Sequence, residues 1–195
     1  MKGWGKDSIL KGNTDRFFIV TGGPGSGKTS LLDALEKMDH KRSVEAGRGI
    51  IRQQVAIGGR ALPWDDKVLF SELMLSWEIR SYQIAEQWAG IVFFDRGVPD
   101  IAAYLTLSNL PIPKYVQKAI ETFHYNPRVF IAPPWREIFT QDRERKQDFD
   151  EAIRTYEALV KTYNRNGYKL VELPCASIEE RLRFVLASTG HYDES

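Results

Sequence analysis

Phe17-Phe18-Ile19-Val20-Thr21-Gly22-Gly23-Pro24-Gly25-Ser26-Gly27-Lys28-Thr29 is the stretch that decides the fold. Its first four residues are apolar and either β-branched or aromatic, the composition of a short strand buried on both faces. The residues from Gly22 to Thr29 then satisfy G-x-x-x-x-G-K-[ST] in full. Glycines let the backbone curl tightly enough for successive N–H groups to point inward at phosphate oxygens. The helix expected next, with Leu31, Leu32 and Leu35 on one face, adds its N-terminal dipole and unpaired donors. Lys28 can reach the β and γ phosphates, and the Thr29 hydroxyl can ligate Mg²⁺. A chance Gly/Pro turn would not sit directly after a strand and directly before a helix. Residues Gly22, Gly23, Pro24, Gly25, Ser26, Gly27, Lys28, Thr29 and Ser30 are therefore the expected nucleotide site, with ATP and Mg²⁺ as its occupants.

Outward from this loop, strand and helix alternate. Residues 42–45 are a weak strand candidate, and Ile50, Ile51 and Val55 predict a helix ending at Gly58-Gly59. Residues 65–87 are helical in period, with Leu69, Leu73, Trp77, Ile84 and Trp88 as the expected apolar stripe. Ile91-Val92-Phe93-Phe94 is the clearest buried strand, ending in Asp95-Arg96-Gly97. Helices are expected over residues 99–107 and 113–123, a strand over 129–132 stopped by Pro133-Pro134, a long charged helix over 148–164 and a last strand over 168–173. Ser177 and Glu180 form a capping box for a final helix whose expected apolar face holds Ile178, Leu182 and Val185. Five strand-to-helix alternations predict an α/β fold: a three-layer α/β/α sandwich around a five-stranded parallel sheet.

The bulk numbers are compatible with this. A chain of 195 residues, 43% hydrophobic and 27% charged, suits one domain with its own core. Residues 1–195 are read as that single domain, with residues 1–15 as a flexible arm. The net charge of +1 offers no global attraction to nucleic acid or an anionic membrane. The single Cys175 allows no internal disulfide, and no run reaches the roughly 18 apolar residues of a membrane span. No signal peptide is recognisable, so a cytoplasmic protein is expected. His40, His124 and His191 lack ligand spacing, which argues against a structural zinc site.

A P-loop needs a carboxylate from a second strand to complete the metal site, and Asp95 follows four apolar residues in that role. The next position holds Arg96 where hydrolytic motors commonly have a glutamate. Arginine stays protonated and cannot be a base, but it can clamp phosphate. With no N-K-x-D element and no L-S-G-G-Q segment, GTPase and transporter readings lose ground. Glu45 should emerge at the carboxyl edge of the second strand, either to hold or deprotonate a substrate hydroxyl or to pair with Arg48. Arg48 and Arg52, four apart, could bind an acceptor phosphate or be solvated. Asp100 and Tyr104 could line an acceptor pocket with Trp64 and Trp135, or the aromatics could be core.

The pieces T-G-G-P-G-S-G-K-T, E-A-G-R-G-I-I-R-Q-Q, F-F-D-R-G-V-P-D, A-P-P-W-R-E-I-F and D-R-E-R-K-Q belong to a pattern that runs over about residues 17–185. Together they resemble a family of small ATPases, labelled AAA-type, grouped with the nicotinamide riboside kinase domain among the nucleoside and nucleotide kinase-like P-loop NTPases. The resemblance implies a nucleotide-kinase-like core with a helical lid at about residues 140–150. Arg143 and Arg145 would there neutralise charge on the transferred phosphoryl group. The expected activity is ATP-dependent phosphoryl transfer, with some ATPase activity, to a small nucleoside-, nucleotide- or metabolite-like acceptor. Lys28, Glu45, Asp95, Arg96, Arg143 and Arg145 would be the catalytic residues, and Thr29 and Asp95 the metal ligands. Glu45, Arg48, Arg52 and Asp100 would face the acceptor. A nucleotide-controlled switch with slow hydrolysis is the alternative.

Overall fold

The computed structural model describes residues 15–139 and 148–190. Five parallel strands run in the order β2-β3-β1-β4-β5: β1 (Phe17–Gly22), β2 (Lys41–Arg42), β3 (Val92–Asp95), β4 (Arg128–Ala132) and β5 (Lys169–Glu172). β1 is central, with Phe17 opposite Val92 and Val20 opposite Asp95 on one side, and Val20 opposite Phe130 on the other. The described helices are α1 (Lys28–Lys37), α2 (Ala46–Ile57), α3 (Lys67–Ala85), α4 (Val98–Leu107), α5 (Lys114–Ile120), α6 (Phe149–Arg165) and α7 (Ile178–Thr189).

Alternation along each strand divides the core in two. Phe18, Val20, Phe93 and Phe130 meet Leu31, Leu32 and Leu35 of α1 and Val185 and Leu186 of α7. Phe17, Ile19, Phe94 and Ile131 meet α2 to α6 on the opposite face, through residues such as Ile50, Phe70, Tyr82, Ile101 and Leu159. Every residue of β1 is buried, which is why Phe17 to Val20 are all apolar rather than alternating.

Sequence and structure part company on α3. Leu69 and Ile84 are 38% and 36% exposed, and the buried face reads Phe70, Ser71, Met74, Leu75, Glu78, Tyr82, Ala85. Leu73, Trp77 and Trp88 of the expected stripe do pack on the core, partly buried, because this helix meets both α2 and α4 and is apolar over most of its circumference. On α7 the Ser177–Glu180 capping box is present, but Ile178 is exposed and Leu186 takes its place in the core. β2 is shorter than the strand read over 42–45, because Glu45 already caps α2.

β1 leads into α1 on one face of the sheet, whereas its neighbour β3 leads into α4 on the other. The carboxyl ends of these two strands therefore open a crevice, the usual place for a ligand in an open α/β sheet.

Candidate functional site

Gly22 leaves β1 with φ 142°, and a Cβ there would lie 2.6 Å from the carbonyl oxygen of Ala132. Only glycine passes β4 so closely. The chain curls through Gly23 to Gly27, held by Ser26 Oγ donating to Gly23 O at 2.8 Å. Gly27 caps α1 in the left-handed region with no side-chain hydrogen bond, so no side chain competes with an anion for the first amides of the helix. Lys28 is only 8% exposed. Its ammonium turns back on the loop, donating to Gly22 O at 2.9 Å, Gly23 O at 2.8 Å and Ser26 Oγ at 3.3 Å.

Asp95 ends β3 two residues short of the loop in register, with its backbone N–H donating to Ser43 Oγ at 3.0 Å. Its side-chain Oδ1 is buried without a hydrogen-bond partner among the described residues. Burial, then the neighbouring Glu45, push its carboxyl up to about 6, against the pull of Lys28 and Arg96. Burial and then Arg96 bring Lys28 down to about 7, opposed by Asp95, Glu45 and Asp100. A buried, unpartnered carboxylate oxygen at the end of β3 and an exposed Thr29 hydroxyl at the start of α1 are donors of the kind a hard divalent cation takes. No group of three or more His, Cys, Asp and Glu side chains among the described residues could hold a metal alone. Phosphate oxygens would have to complete the shell.

Arg96 adopts φ 76°, left-handed for a residue with a Cβ, a conformation that costs on the order of 1 kcal/mol and needs the surroundings to impose it. Its backbone N–H donates to Val20 O at 3.1 Å. Its guanidinium lies 3.5 Å from Glu45 Oε1 and 3.2 Å from Asp100 Oδ1. Burial works against that charge, but Glu45, Asp100 and Asp95 outweigh it and raise the arginine above its ordinary pKa. Glu45, the N-cap residue of α2, is also held through Oε2 by Arg48 at 3.0 Å.

Asp100 is a hub. Oδ1 accepts from Thr21 Oγ1 at 2.6 Å and from Arg96, while Oδ2 accepts from Gly97 N at 3.0 Å and from the Tyr163 hydroxyl. Four donors use up the acceptor capacity of a carboxylate. Asp100 thus ties β1, the turn after β3, α4 and α6 together.

A cavity of about 640 Å³ starts at Pro24 in the loop, passes Glu45, Arg96 and Asp100, and widens between α3, α4 and α6. Phe70, Met74, Ile101 and Tyr104 give it apolar walls, with the Phe70 and Tyr104 rings 5.5 Å apart and edge-to-face. Trp64, 60% exposed, stands at its mouth. The sequence-expected residues divide accordingly. Lys28, Glu45, Asp95, Arg96 and Asp100 converge at the sheet edge. Trp64 and Tyr104 line the cavity, but Arg48, Arg52 and Trp135 do not. Arg48 turns to Glu45, and Arg52 is exposed on α2. Arg143 and Arg145 lie outside the described residues.

Two residues escaped the sequence reading. Arg181 of α7 donates to Ser26 O at 3.2 Å and Gly27 O at 3.4 Å. Glu78 of α3 lines the cavity at 2% exposure, with Oε2 lacking a hydrogen-bond partner among the described residues. The available signal for Glu78 was a charged residue interrupting the apolar i,i+4 series Phe70, Met74, Glu78, Tyr82. Arg181 carried none.

The fold and the phosphate loop define an α/β P-loop protein. Residues 17–181 match the family model described as an AAA domain, and the chain belongs to that family. Among solved structures, NadR protein in complex with NR superposes with a TM-score of 0.70 at 20% identity, covering 92% of this chain and 53% of that one. NadR in complex with NAD and AMP-PNP gives 0.66 at 18%, covering 92% and 51%. Deoxyadenosine kinase from M. mycoides with products dCMP and dCDP gives 0.60 at 11%, covering 90% and 100%. These likenesses show the fold, and the chain spans about half the length of the NadR chains. No curated protein matches the chain. No helix among the described residues is long and apolar enough to cross a membrane.

Proposed function

We propose that the protein is a Mg·ATP-dependent phosphotransferase whose acceptor is a small molecule with a flat, largely apolar body and a hydroxyl group, as in a nucleoside. The observation that carries this is the continuity of the cavity: one space runs from the phosphate loop, past Glu45 and Arg96, into an apolar chamber. A switch that only binds and hydrolyses nucleotide has no use for a chamber of this size opening at the phosphate loop.

In this reading the loop amides and Lys28 bind the triphosphate, the ammonium exchanging its carbonyl partners for phosphate oxygens. Thr29 and Asp95 would hold Mg²⁺, which would supply positive charge to offset the negative charge of the triphosphate. The acceptor hydroxyl lies against Glu45. Its oxygen bonds the γ-phosphorus as the bond from that phosphorus to the bridging oxygen of ADP breaks, and its proton passes to Glu45. Arg96, kept charged by its three carboxylate neighbours, orients Glu45 and faces the transferred group. Arg143 and Arg145 would add positive charge from the lid. Alignment and fixed charge supply most of the catalysis in such a transfer. Water reaching the same position gives slow ATPase activity.

The test is an acceptor screen with ATP and Mg²⁺, read by ³¹P NMR for a new phosphate ester. One class of hydroxyl compound should raise ATP consumption and appear phosphorylated. Slow turnover unaffected by every compound, with ATP still bound, would remove the phosphotransferase reading and leave a nucleotide switch.

A further inference from the structure

We propose that Glu78 selects the acceptor: from the inner wall of the cavity its carboxyl group hydrogen-bonds an uncharged polar atom of the acceptor molecule. This rests on the acceptor-chamber reading above. Glu78 follows Phe70 and Met74 at four-residue intervals, so it shares their cavity-facing side of α3. It is 2% exposed, and Oε2 has no hydrogen-bond partner among the described residues. Native interiors rarely leave such an atom unsatisfied without a reason, and here a cavity opens in front of it.

The charges around it decide what it can meet. Asp100 of α4, Asp95 at the end of β3 and Glu45 at the start of α2 are all acidic side chains, while Arg96 is already shared between Glu45 and Asp100. Burial and these carboxylates favour the neutral acid. A neutral carboxyl offers one O–H donor and a carbonyl acceptor, a pattern that matches an amide, a ring N–C=O unit or a hydroxyl. It brings no positive charge to an anion. The other cavity-lining charges are Glu45, Asp100, Glu151, the engaged Arg96 and Lys67 at the exposed end. With Arg48 and Arg52 off the cavity wall, a phosphorylated acceptor would find more negative than positive charge.

The test titrates adenosine, guanosine, cytidine and uridine, and the 5′-monophosphate of each, into protein preloaded with a non-hydrolysable ATP analogue and Mg²⁺. At least one nucleoside should bind the wild type, and its monophosphate should bind at least about tenfold more weakly. Glu78→Gln, which keeps shape and a donor but cannot ionise, should stay within about threefold of the wild type. Glu78→Leu should weaken the nucleoside by about tenfold or more. All three proteins should bind the ATP analogue alike and melt cooperatively. With analogue binding intact, four results overturn the assignment: no nucleoside binds, a monophosphate binds tightest, Glu78→Leu is silent, or Glu78→Gln is as damaging as Glu78→Leu. Absence of analogue binding to the wild type overturns the donor site, the proposed function and this assignment together.

Discussion

Arg181 reaches from the last helix to the carbonyl oxygen of Ser26, 155 positions earlier in the chain, at a distance of 3.2 Å. A second nitrogen reaches Gly27 O at 3.4 Å, and the residue is only 3% exposed. The phosphate loop is thus shaped from outside by a guanidinium that binds backbone rather than ligand. Two donors from one planar group fix the orientation of the Ser26–Gly27 segment, whereas lysine offers a single point charge.

Arg181→Met should therefore loosen the loop without removing any phosphate ligand. Hydrogen bonds from a charged donor are worth about 1.5–3 kcal/mol, so the melting temperature should fall by several degrees. Affinity for an ATP analogue should drop by about tenfold, with Arg181→Lys between the two. Unchanged affinity would show that the loop holds its form unaided.

Lys28 makes nucleotide binding depend on pH. Burial brings its ammonium down to about 7, and triphosphate oxygens would raise it. Binding then takes up a proton, and affinity should fall with rising pH by up to about tenfold per unit between about pH 7 and pH 9. Calorimetry in buffers of different ionisation enthalpy measures that uptake. A flat affinity profile would contradict it, and Lys28→Ala should abolish binding.

Glu78 gives a stability effect of definite sign. Its carboxyl stays protonated in the folded protein well above the ordinary glutamate value, so above about pH 4.5 the unfolded chain binds fewer protons than the folded one. Stability is full below that pH and declines as pH rises towards the folded pKa, by up to about 1.4 kcal/mol per unit. Glu78→Gln lacks this decline and should exceed the wild type in urea midpoint at pH 8 by more than at pH 5. Equal differences at both values would place the ionised form in the native state.

Asp95→Asn separates binding from metal use. The carboxyl is buried, has an unpartnered oxygen and sits at about 6, so the amide should leave the apo protein no less stable. ATP should still bind, while magnesium-dependent turnover should fall by at least about a hundredfold, on the order of 2.7 kcal/mol. Retained turnover would take Asp95 out of the metal site.

Much of this architecture could be read from local signals. The phosphate loop, the strand before it, and Asp95 after Ile91-Val92-Phe93-Phe94 are each short, contiguous and chemically distinctive. The five-stranded α/β sheet follows from them and from the alternation of elements. What stayed hidden depends on long-range packing. Arg181 meets the loop only because α7 lies beside α1. Glu78 is buried only because α3 turns its Phe70–Met74 side fully inward, while the expected stripe is only partly covered. Arg48 could have faced a ligand or Glu45, and the choice depended on where Glu45 emerged as the cap of α2.

The two-residue β2 has a consequence for how copies of the protein behave together. Lys41 and Arg42 form one outer border of the sheet, and the four-residue β5, beginning at Lys169, forms the other. Borders so short, and bearing cations, offer a poor template for a foreign strand to zip onto. At high concentration the folded molecule should resist fibrillar, edge-to-edge growth.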